Sequence, residues 1–320
     1  MSGRISAVVV RLIVAGLRQY SPGALPADDS VDALLAGGDD SVALEPYREL
    51  LETVRQRAGG KSLLRAGRTL DDLADPLLFV LLNSDSVAVL IEKEARLGRF
   101  IHSRHVVRIV EQRDRGVLLE HHSREAEPPR ATEHLAAAGQ HVALLEQVGC
   151  QGLVLALPDS EAPRRRVYEA GAYHEPADGS YRLWDFSWQA FTPTRRPMPG
   201  LDEMLLASDA RGELVERERV VAAVERVARA DLGRTWTVAD VAARLDTSPR
   251  SLQRSLSAEG ARFSDVLDQL RVAEAQRLLR HSELSVTEIG YVCGFADTSH
   301  FSRRFKQRVG SSPSAYRGAA

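Results

Sequence analysis

The sequence predicts an α+β N-terminal domain followed by an all-α C-terminal domain. Three observations lead to this prediction. In the first hundred residues, apolar side chains recur at three- and four-residue spacing, which is typical of amphipathic helices. From residue 105 to about residue 191 the period changes to the alternation that is typical of strands, interrupted by one helical stretch. After residue 200 the helical period returns and continues to the end of the sequence.

The helical front of the chain is divided by breaks rich in Gly, Pro and Asp, such as SPGALPADD and AGGDDS. Its three predicted helical stretches are 5–18, 47–57 and 86–100. The next segment predicts a β-hairpin, because VVRIV and VLLEHH flank the turn-like RDRG. A helix at 132–148, a buried strand at 152–157 and an alternating strand at 181–191 complete the predicted domain, whose small sheet we expect to be antiparallel.

The composition is that of a soluble globular protein with an uneven distribution of charge. The 320 residues are enough for two domains, 44% of them are hydrophobic and 27% are charged. The formal net charge is −2. Residues 214–320, however, hold 17 basic and 13 acidic residues, a balance of +4, and the remainder hold 25 and 31, a balance of −6. The basic end is therefore where nucleic-acid contacts are expected.

Cysteine usage and hydropathy argue for a cytoplasmic protein. Cys150 and Cys293 lie in different halves of the chain, so they form neither a disulfide framework nor a CxxC metal spacing. The apolar stretch AVVVRLIVAGL is interrupted by Arg11 and is too short to span a bilayer. We interpret it as a buried helix and expect no membrane partner.

A Pro- and Arg-rich segment, TPTRRPMPG at 192–200, marks the edge between the domains. We predict a first domain at 1–195, a linker at 196–216 and a second domain at 217–320.

The second domain contains an internal repeat. VADVAARL and TSPRSLQRSL in 238–256 match VTEIGYVC and ADTSHFSRRF in 286–305. The offset is 48 residues before the turn and 49 after it, so we place one inserted residue in the second turn, at Gly294. Each copy reads as a helix, a tight turn and a second helix, which is the helix-turn-helix pattern. The sequence therefore predicts an all-α double helix-turn-helix domain, with its two units at about 237–258 and 285–308.

Capping signals define where the first helix of each copy begins. Thr237 with Asp240, and Ser285 with Glu288, have the spacing of a capping box. In such a box each side chain bonds the backbone amide of the other residue, so both helix starts are specified locally.

The turn and the second helix also have recognisable signals. Gly294 can take the positive φ that a tight turn demands. Ser248 and Asp297 are expected to be the N-caps of the second helices. Ala242 and Gly290 are small where the two helices of a unit must approach each other closely.

Each second helix has a narrow apolar stripe of two residues four apart, which leaves most of its surface free. Such a face is often only solvated. Its occurrence in two copies favours DNA reading, because Arg bridges guanine O6 and N7, Gln bridges adenine N6 and N7, and Ser or Thr bonds several base edges. The predicted base-contacting residues are Arg250, Gln253, Arg254, Thr298, Ser299, Ser302 and Arg303. The predicted phosphate-contacting residues are Ser248, Asp297, His300, Arg304, Lys306 and Arg308.

Residues 217–317 resemble the DNA-binding domain of the AraC/XylS family of bacterial transcription regulators. The tail GSSPSAYR and the second helix-turn-helix carry the most specific part of the resemblance. The chain departs from many members at Gly290, where they have alanine. The matching residues are Ala242, Ser248, Leu252, Arg254, Phe263, Leu270, Arg271, Ala275, Leu278, Leu279, Ile289, Gly294, Phe295, Phe301, Arg303, Phe305, Lys306, Gly310, Pro313 and Tyr316.

The resemblance implies a transcription regulator, usually an activator, that binds double-stranded DNA in the cytoplasm at the nucleoid and contacts RNA polymerase. Two recognition helices would enter successive major grooves, about one turn or ~34 Å apart. Because those helices differ in sequence, one chain would read two sub-sites that are not palindromic. A homodimer is allowed but not required.

The resemblance also implies that the first domain senses a small molecule or mediates dimerisation. An effector pocket could be lined by Trp184, Phe186 and Trp188, which share one face of a predicted strand, although aromatic residues are commonly plain core. The alternative is a constitutive DNA-binding protein whose first domain only dimerises. The identity of an effector does not follow from the sequence.

A second alternative is a metal- or haem-dependent sensor, because six histidines are concentrated in one region. No cysteine or acidic partner is fixed in spacing, so we expect no metal and no cofactor. The nucleotide-binding and hydrolase motifs GxSxG, HExxH, GxGxxG and the P-loop do not occur, so an enzyme is not expected. The histidines are His102, His105, His121, His122, His134 and His141.

Overall fold

The computed structural model describes residues 3–26, 28–35, 41–69, 76–101, 104–125, 127–157, 165–194 and 220–318. These residues form two compact units. Within the described ranges, the first unit comprises residues up to 69 and from Ser84 to 194, and the second comprises Pro76–Asn83 together with 220–318. The linker predicted at 196–216 lies outside the described residues, and the domain boundaries placed from the sequence stay predictions.

The first unit has a six-stranded sheet in which every neighbouring pair is antiparallel, as the sequence predicts. The strand order is β3-β4-β9-β6-β7-β8, and two two-stranded pairs, β1-β2 and β5-β10, lie outside it. The strands are β1 Arg4–Ser6, β2 Ser41–Ala43, β3 His105–Arg113, β4 Gly116–Ser123, β5 Cys150–Gln151, β6 Val154–Leu157, β7 Arg165–Glu169, β8 Ala172–Tyr173, β9 Leu183–Ser187 and β10 Ala190–Phe191.

The predicted hairpin is confirmed, because β3 and β4 pair from Arg113 and Gly116 at the turn outward. Strand β9 lies between β4 and β6, and its alternation is the predicted one: Trp184 and Phe186 are fully buried, whereas Asp185 faces the other way. The strand ends at Ser187, one residue before the position at which the alternation would have placed a third aromatic residue. A mainly helical front and one antiparallel sheet therefore make this unit α+β.

Helices cover the sheet of the first unit. The 18-residue helix α7 packs against α3 and α4, and α4 packs in turn against α1. The predicted helix at 132–148 is confirmed as α7. The helices of this unit are α1 Ala7–Tyr20, α2 Asp28–Leu35, α3 Leu44–Ala58, α4 Gly60–Ala66, α6 Val87–Ile101 and α7 Ala131–Val148.

The second unit is formed by helices and their connections throughout its described residues. The longest, α11, contacts α8, α12, α13 and α14, so it is the central element around which the others pack. The helices are α5 Pro76–Leu82, α8 Val220–Arg229, α9 Val238–Arg244, α10 Pro249–Ala258, α11 Phe263–His281, α12 Val286–Val292, α13 Thr298–Val309 and α14 Pro313–Gly318.

Helix α5 comes from the first third of the sequence and nevertheless belongs to the second unit. Its sequence, PLLFVLL, is apolar on every side, which is typical of a helix that is covered all round. It packs against α12, and Val80 lies beside Gly233 in the connection between α8 and α9.

Candidate nucleic-acid interface

The second unit contains two helix-turn-helix motifs. The first consists of α9 and α10, and the second of α12 and α13. In both units the first helix begins with the predicted capping box. Thr237 Oγ1 accepts from the amide of Asp240 at 3.1 Å, and Ser285 Oγ accepts from the amide of Glu288 at 3.2 Å. In turn, the Thr237 amide donates to Asp240 Oδ2 at 3.0 Å, and the Ser285 amide donates to Glu288 Oε2 at 2.6 Å.

The first capping box is also tied to its surroundings by charge. Arg234 Nη2 lies 2.8 Å from Asp240 Oδ1, and the same guanidinium stacks on the Trp236 ring. Burial alone would raise the pKa of the Asp240 carboxyl, but the hydrogen bonds from Thr237 and the Arg234 charge outweigh burial and hold the pKa below its usual value. The start of α9 is therefore fixed by a charged, hydrogen-bonded group.

The two turns have the same backbone. The amide of Thr247 donates to Ala242 O at 2.9 Å, and the amide of Phe295 donates to Gly290 O at 2.9 Å, which is the same bond 48 residues later. Each turn also has one left-handed residue at the same offset, Asp246 with φ 50° and its counterpart with φ 77°.

That counterpart is Gly294, so the placement of the extra residue at Gly294 is wrong. The offset of 48 holds through Phe295 and becomes 49 at the N-cap Asp297, which corresponds to Ser248. The extra residue of the second turn is therefore Ala296. Sequence comparison misplaced it because Asp246 is not a glycine, although aspartate tolerates the left-handed region better than most residues.

Gly294 is required for a second reason. A Cβ built on it would lie 2.0 Å from the carbonyl oxygen of Leu232, which is backbone and cannot move aside as a side chain would. The second turn thus packs directly on the connection between α8 and α9, and only glycine permits that approach.

The second helices begin and pack as predicted. Ser248 Oγ accepts from the amide of Ser251 at 3.1 Å, and Asp297 Oδ1 accepts from the amide of His300 at 2.6 Å. Each helix then buries one stripe of two residues four apart. The stripes are Leu252 with Leu256 and Phe301 with Phe305.

The small residues at the helix crossing match the sizes of their partners. In the second helix-turn-helix, a Cβ on Gly290 would lie 3.1 Å from Phe301 Cδ1, tighter than ordinary contact. The first helix-turn-helix has Ala242 at the position equivalent to Gly290 and the smaller Leu252 at the position equivalent to Phe301, and both are fully buried. Gly290 therefore leaves room for the Phe301 ring, which is larger than the leucine at the equivalent position of the first helix-turn-helix.

The outward face of α10 presents three polar side chains. Arg250, Gln253 and Arg254 are all exposed. None of the three has a hydrogen-bond or ion-pair partner within the described ranges, so their donors are available to a ligand. Helix α10 thus offers two guanidinium groups and one amide on one short surface.

The outward face of α13 is smaller and more varied. Ser299 and Arg303 are exposed, and Thr298 and Ser302 are half-buried beside them. Arg303 has no ion-pair partner in the part of the chain that the structure describes. The two helices therefore share an arginine-bearing polar face but differ in the groups that accompany it.

Several predicted phosphate contacts have additional partners inside the protein. Arg304 and Arg308 lie 3.5 Å from Asp268 and Asp265 on α11, whereas Lys306 is exposed. The side chains of Ser248 and Asp297 form the helix caps described above. His300 is half-buried, with its ring edge-on to Phe295 at 5.8 Å between centroids.

The three aromatic residues proposed for an effector pocket are placed differently from one another. Trp184 is fully buried, and its Nε1 donates to Tyr181 O at 2.8 Å. Phe186 is also buried in the sheet, and Trp188 is half-buried beyond the end of β9. Trp184 contacts the rings of His121 and His141 at centroid distances of 5.2 and 4.9 Å.

Four of the six histidines come together in the first unit. His105 meets His121 edge-on at 5.2 Å, and His121 Nδ1 lies 3.0 Å from His134 Nδ1. The His141 ring also contacts Trp184, at 4.9 Å between centroids. Among the described residues, no three His, Cys, Asp or Glu side chains are arranged to hold a metal ion. His102 lies outside those residues.

Both cysteines are buried and neither is activated. Burial, together with the Glu146 charge, raises the pKa of the Cys150 thiol to about 12. Burial raises the pKa of Cys293 well above its usual value. These are the properties of core cysteines rather than of reactive thiolates. In the described part of the chain, no helix is long and apolar enough to cross a bilayer.

A family model described as a helix-turn-helix domain matches residues 241–319. The transcriptional activator NphR of a Rhodococcus species is 37% identical over 118 residues, which cover 37% of this chain and 35% of NphR. The transcriptional activator RhaS of Escherichia coli O139:H28 is 45% identical over 74 residues, which cover 23% of this chain and 27% of RhaS. The chain thus spans about a third of the length of the curated relatives that it matches.

Solved structures of transcription factors are similar too. The DNA-binding domain of AdpA, in complex with a target DNA, is 37% identical and covers 31% of this chain and 90% of its own, with a TM-score of 0.28. The transcriptional regulator CdpR from Pseudomonas aeruginosa covers 96% of this chain and 97% of its own at 19% identity, with a TM-score of 0.37. These relatives and structures are all described as regulators of transcription.

Proposed function

We propose that this chain, which ends in a helix-turn-helix domain of the AraC/XylS type, is a sequence-specific DNA-binding regulator of transcription. The observation that carries the proposal is the pair of outward faces on α10 and α13. Each face is held by a capped helix with a buried apolar stripe, and each presents an arginine without a protein partner in the described residues. Such faces suit base reading in the major groove.

The proposal assigns different tasks to the polar residues. Arg250, Gln253 and Arg254 on α10 read one sub-site, and Thr298, Ser299, Ser302 and Arg303 on α13 read another. Lys306 contacts phosphate and contributes affinity without sequence information. Arg304 and Arg308 contact phosphate as well, while each also pairs with an aspartate of α11.

Regulation by a small molecule, and activation through RNA polymerase, are the finer parts of the proposal. NphR and RhaS are both named as transcriptional activators, which supports activation as the mode. A first unit with its own core and its own cavity supports a sensing role, since dimerisation alone does not require a cavity.

The test is selection of binding sites from random duplex DNA with the full-length chain. We expect a bipartite, non-palindromic consensus whose affinity falls steeply with salt as phosphate counterions are released. The variant Arg254→Ala should weaken binding to the selected site. Arg115→Ala is the matched control, because its side chain is 69% exposed on the β3–β4 turn of the first unit. Recovery of no consensus, or an equal effect of both variants, would refute the proposal.

A further inference from the structure

A pocket opens inside the first unit, where α1, α3, α6, α7, β1, β3 and β4 meet. Its volume is about 70 Å³. One water-sized position takes roughly 10–15 Å³, so the pocket holds a group of about five non-hydrogen atoms. Its lining combines apolar side chains, including Ile5, Val9 and Val107, with carboxylate and imidazole groups. Such a combination of apolar side chains and a few convergent polar groups is typical of small-molecule sites.

Glu133 is the most unusual polar group of the lining. Its side chain is only 3% exposed. One oxygen, Oε2, accepts from the Arg130 amide at 2.7 Å and lies 3.2 Å from Arg48 Nε. The other oxygen, Oε1, is buried and has no hydrogen-bond donor among the described residues; His105 Nδ1 lies 3.8 Å from it, beyond hydrogen-bonding distance. A buried acceptor of this kind is costly unless something donates to it.

Glu133 is the buried end of an ion-pair network. Arg48 is shared between Glu133, Glu127 at 2.5 Å and Glu45 at 3.6 Å. Two further guanidinium groups join the network, Arg104 with Glu125 and Glu127, and Arg130 with Glu45. The carboxylates of Glu45, Glu125 and Glu127 are about half exposed, so water screens their charge, whereas Glu133 is buried and lines the pocket.

The second carboxylate of the pocket is already balanced. His141 Nε2 lies 2.9 Å from Glu94 Oε2, and His141 Nδ1 lies 2.8 Å from Ala137 O. Both ring nitrogens face oxygens, which suits an imidazolium that donates twice. Burial lowers the pKa of His141, but the Glu94 charge and these bonds outweigh burial and raise it. Glu94 and His141 therefore form a neutral pair.

One further cation lies at the edge of the pocket. A Cβ built on Gly98, which lines the pocket, would lie 3.0 Å from Arg124 Nη2. Arg124 is exposed, so water and salt screen its charge, whereas Glu133 is buried and screened little.

We propose that this pocket binds the cationic nitrogen of a small organic amine or amidine, with Glu133 Oε1 as its anchor. The ammonium or amidinium group donates to Glu133 Oε1, and the imidazoles of His105 and His121 line the same pocket. The carbon skeleton lies against Ile5, Val9 and Val107. The inference deepens and rests on the proposed function, because it names the chemical class of the effector.

The surroundings of Glu133 suit such a ligand. Burial raises the pKa of its carboxyl despite the hydrogen bond from Arg130 and the charge of Arg48. A cation at Oε1 stabilises the buried carboxylate and supplies the hydrogen-bond donor that this oxygen lacks among the described residues. Trp184 provides a local reporter, since its ring contacts both His121 and His141 of the pocket wall.

The test is a titration of the full-length protein with four small probes of similar size, followed by calorimetry and tryptophan fluorescence. The probes are n-propylammonium, acetamidinium, propan-1-ol and propionate. We expect the two cations to bind and the neutral and anionic probes not to bind. Glu133→Gln should weaken cation binding by roughly 10- to 100-fold, the loss expected for a charged hydrogen bond, while glutamine still accepts from the Arg130 amide.

Glu127→Gln is the matched control, because it removes a carboxylate from the same network at a position outside the pocket lining. It should bind the cations as the wild type does. If Glu133→Gln does not fold by circular dichroism, Ala137→Leu narrows the pocket from the same helix and should abolish cation binding. Binding of propionate in place of the cations, no binding of either cation, or equal losses in Glu133→Gln and Glu127→Gln would overturn the inference.

A gel shift on the same samples separates this inference from the proposed function. Specific DNA binding without cation binding would overturn the pocket assignment and leave the DNA-binding role intact. Cation binding without specific DNA binding would leave the pocket assignment intact and refute the regulator.

Discussion

At the scale of single residues, a comparison of two glycines of the second helix-turn-helix distinguishes the cost of an unfavourable backbone conformation from the cost of a packing clash. Gly294 and Gly310 both have positive φ, 77° and 89°. A Cβ on Gly310 would meet no atom within 4 Å, whereas one on Gly294 would meet Leu232 O at 2.0 Å. The same substitution at the two positions therefore differs only in the contact.

We expect Gly310→Ala to lower the free energy of unfolding by about 1–2 kcal/mol, the cost of the left-handed conformation. Gly294→Ala should cost roughly 2–5 kcal/mol, because overpacking against backbone adds to that conformational cost. Urea unfolding of both variants measures the difference. Equal losses would show that the contact with Leu232 contributes nothing.

The proposed function assigns base reading to Arg303 and phosphate contact to Lys306, both on α13. Arg303→Ala should cost about 1–3 kcal/mol at the selected site and relax sequence preference at one position. Lys306→Ala should weaken binding to all sequences alike and reduce the salt slope by about 1. Gel shifts with the selected site and a scrambled duplex, at several salt concentrations, measure both quantities. An Arg303→Ala variant that loses specific and scrambled binding equally would contradict the assignment.

At the scale of elements, the two helices of each helix-turn-helix pack together through a small residue and a larger apolar one, and the two motifs use different pairs of residues. Phe301→Leu alone should cost about 1 kcal/mol through lost volume. Gly290→Ala alone gains helix propensity but presses on the Phe301 ring. The double variant Gly290→Ala with Phe301→Leu recreates the Ala242 and Leu252 pair of the first helix-turn-helix. The added methyl group of the alanine then occupies space that the smaller leucine side chain leaves.

We therefore expect the double variant to be more stable than the sum of the single changes predicts, by at least about 0.5 kcal/mol. A double-mutant cycle in urea measures this coupling. Additive effects would mean that the two residues do not compensate each other.

Much of the second unit follows from local sequence signals. The capping boxes at Thr237 and Ser285 and the N-caps Ser248 and Asp297 are specified within four residues, so they could be predicted and are confirmed. The position of the extra turn residue could not be predicted. Aligning the two repeats by sequence makes Gly294 the inserted residue, because the first repeat has no glycine there. The backbone shows instead that Asp246 occupies the left-handed position equivalent to Gly294.

The pocket of the first unit did not follow from the sequence, because its lining comes from seven separate elements. Glu133 reads as an ordinary third residue of a helix, and its Oε1 becomes distinctive only when Arg48 is seen to hold Oε2. The density of histidines was the available signal. It indicates the region of the pocket, where the structure places His121 and His141 against the Trp184 ring and His134 beside His121.

At the scale of the whole molecule, the histidine cluster makes stability depend on pH. Burial, with a smaller effect of the Arg182 charge, lowers the pKa of His134 to about 4. The unfolded chain takes up this proton near pH 6.5 and the folded chain only near pH 4. Between these values the unfolded state binds more protons, so the free energy of unfolding decreases as the pH falls.

We expect the wild type to lose up to about 2 kcal/mol relative to His134→Gln between pH 7 and pH 5. The comparison with the variant is needed because Glu133 and His141 have raised pKa values and act in the opposite direction. Urea unfolding at a series of pH values measures the difference. A constant difference across this range would contradict the buried, neutral state of His134.

The chain path between the units could not be predicted either. Helix α5 lies between segments of the first unit in sequence, yet it packs against α12 of the second. An apolar run of seven residues indicates burial but not the unit in which it is buried. The chain therefore passes between the two units before and after α5, as well as at the predicted linker.

The central claim is that α10 and α13 of one chain read different base pairs of one DNA site. The most direct measurement is site selection with the full-length wild type, Arg250→Ala and Arg303→Ala, followed by comparison of the three consensus sequences. We expect each variant to lose preference in a different half of the site, with the halves about one helical turn apart. Loss of preference at the same base pairs in both variants, or at none, would contradict the claim.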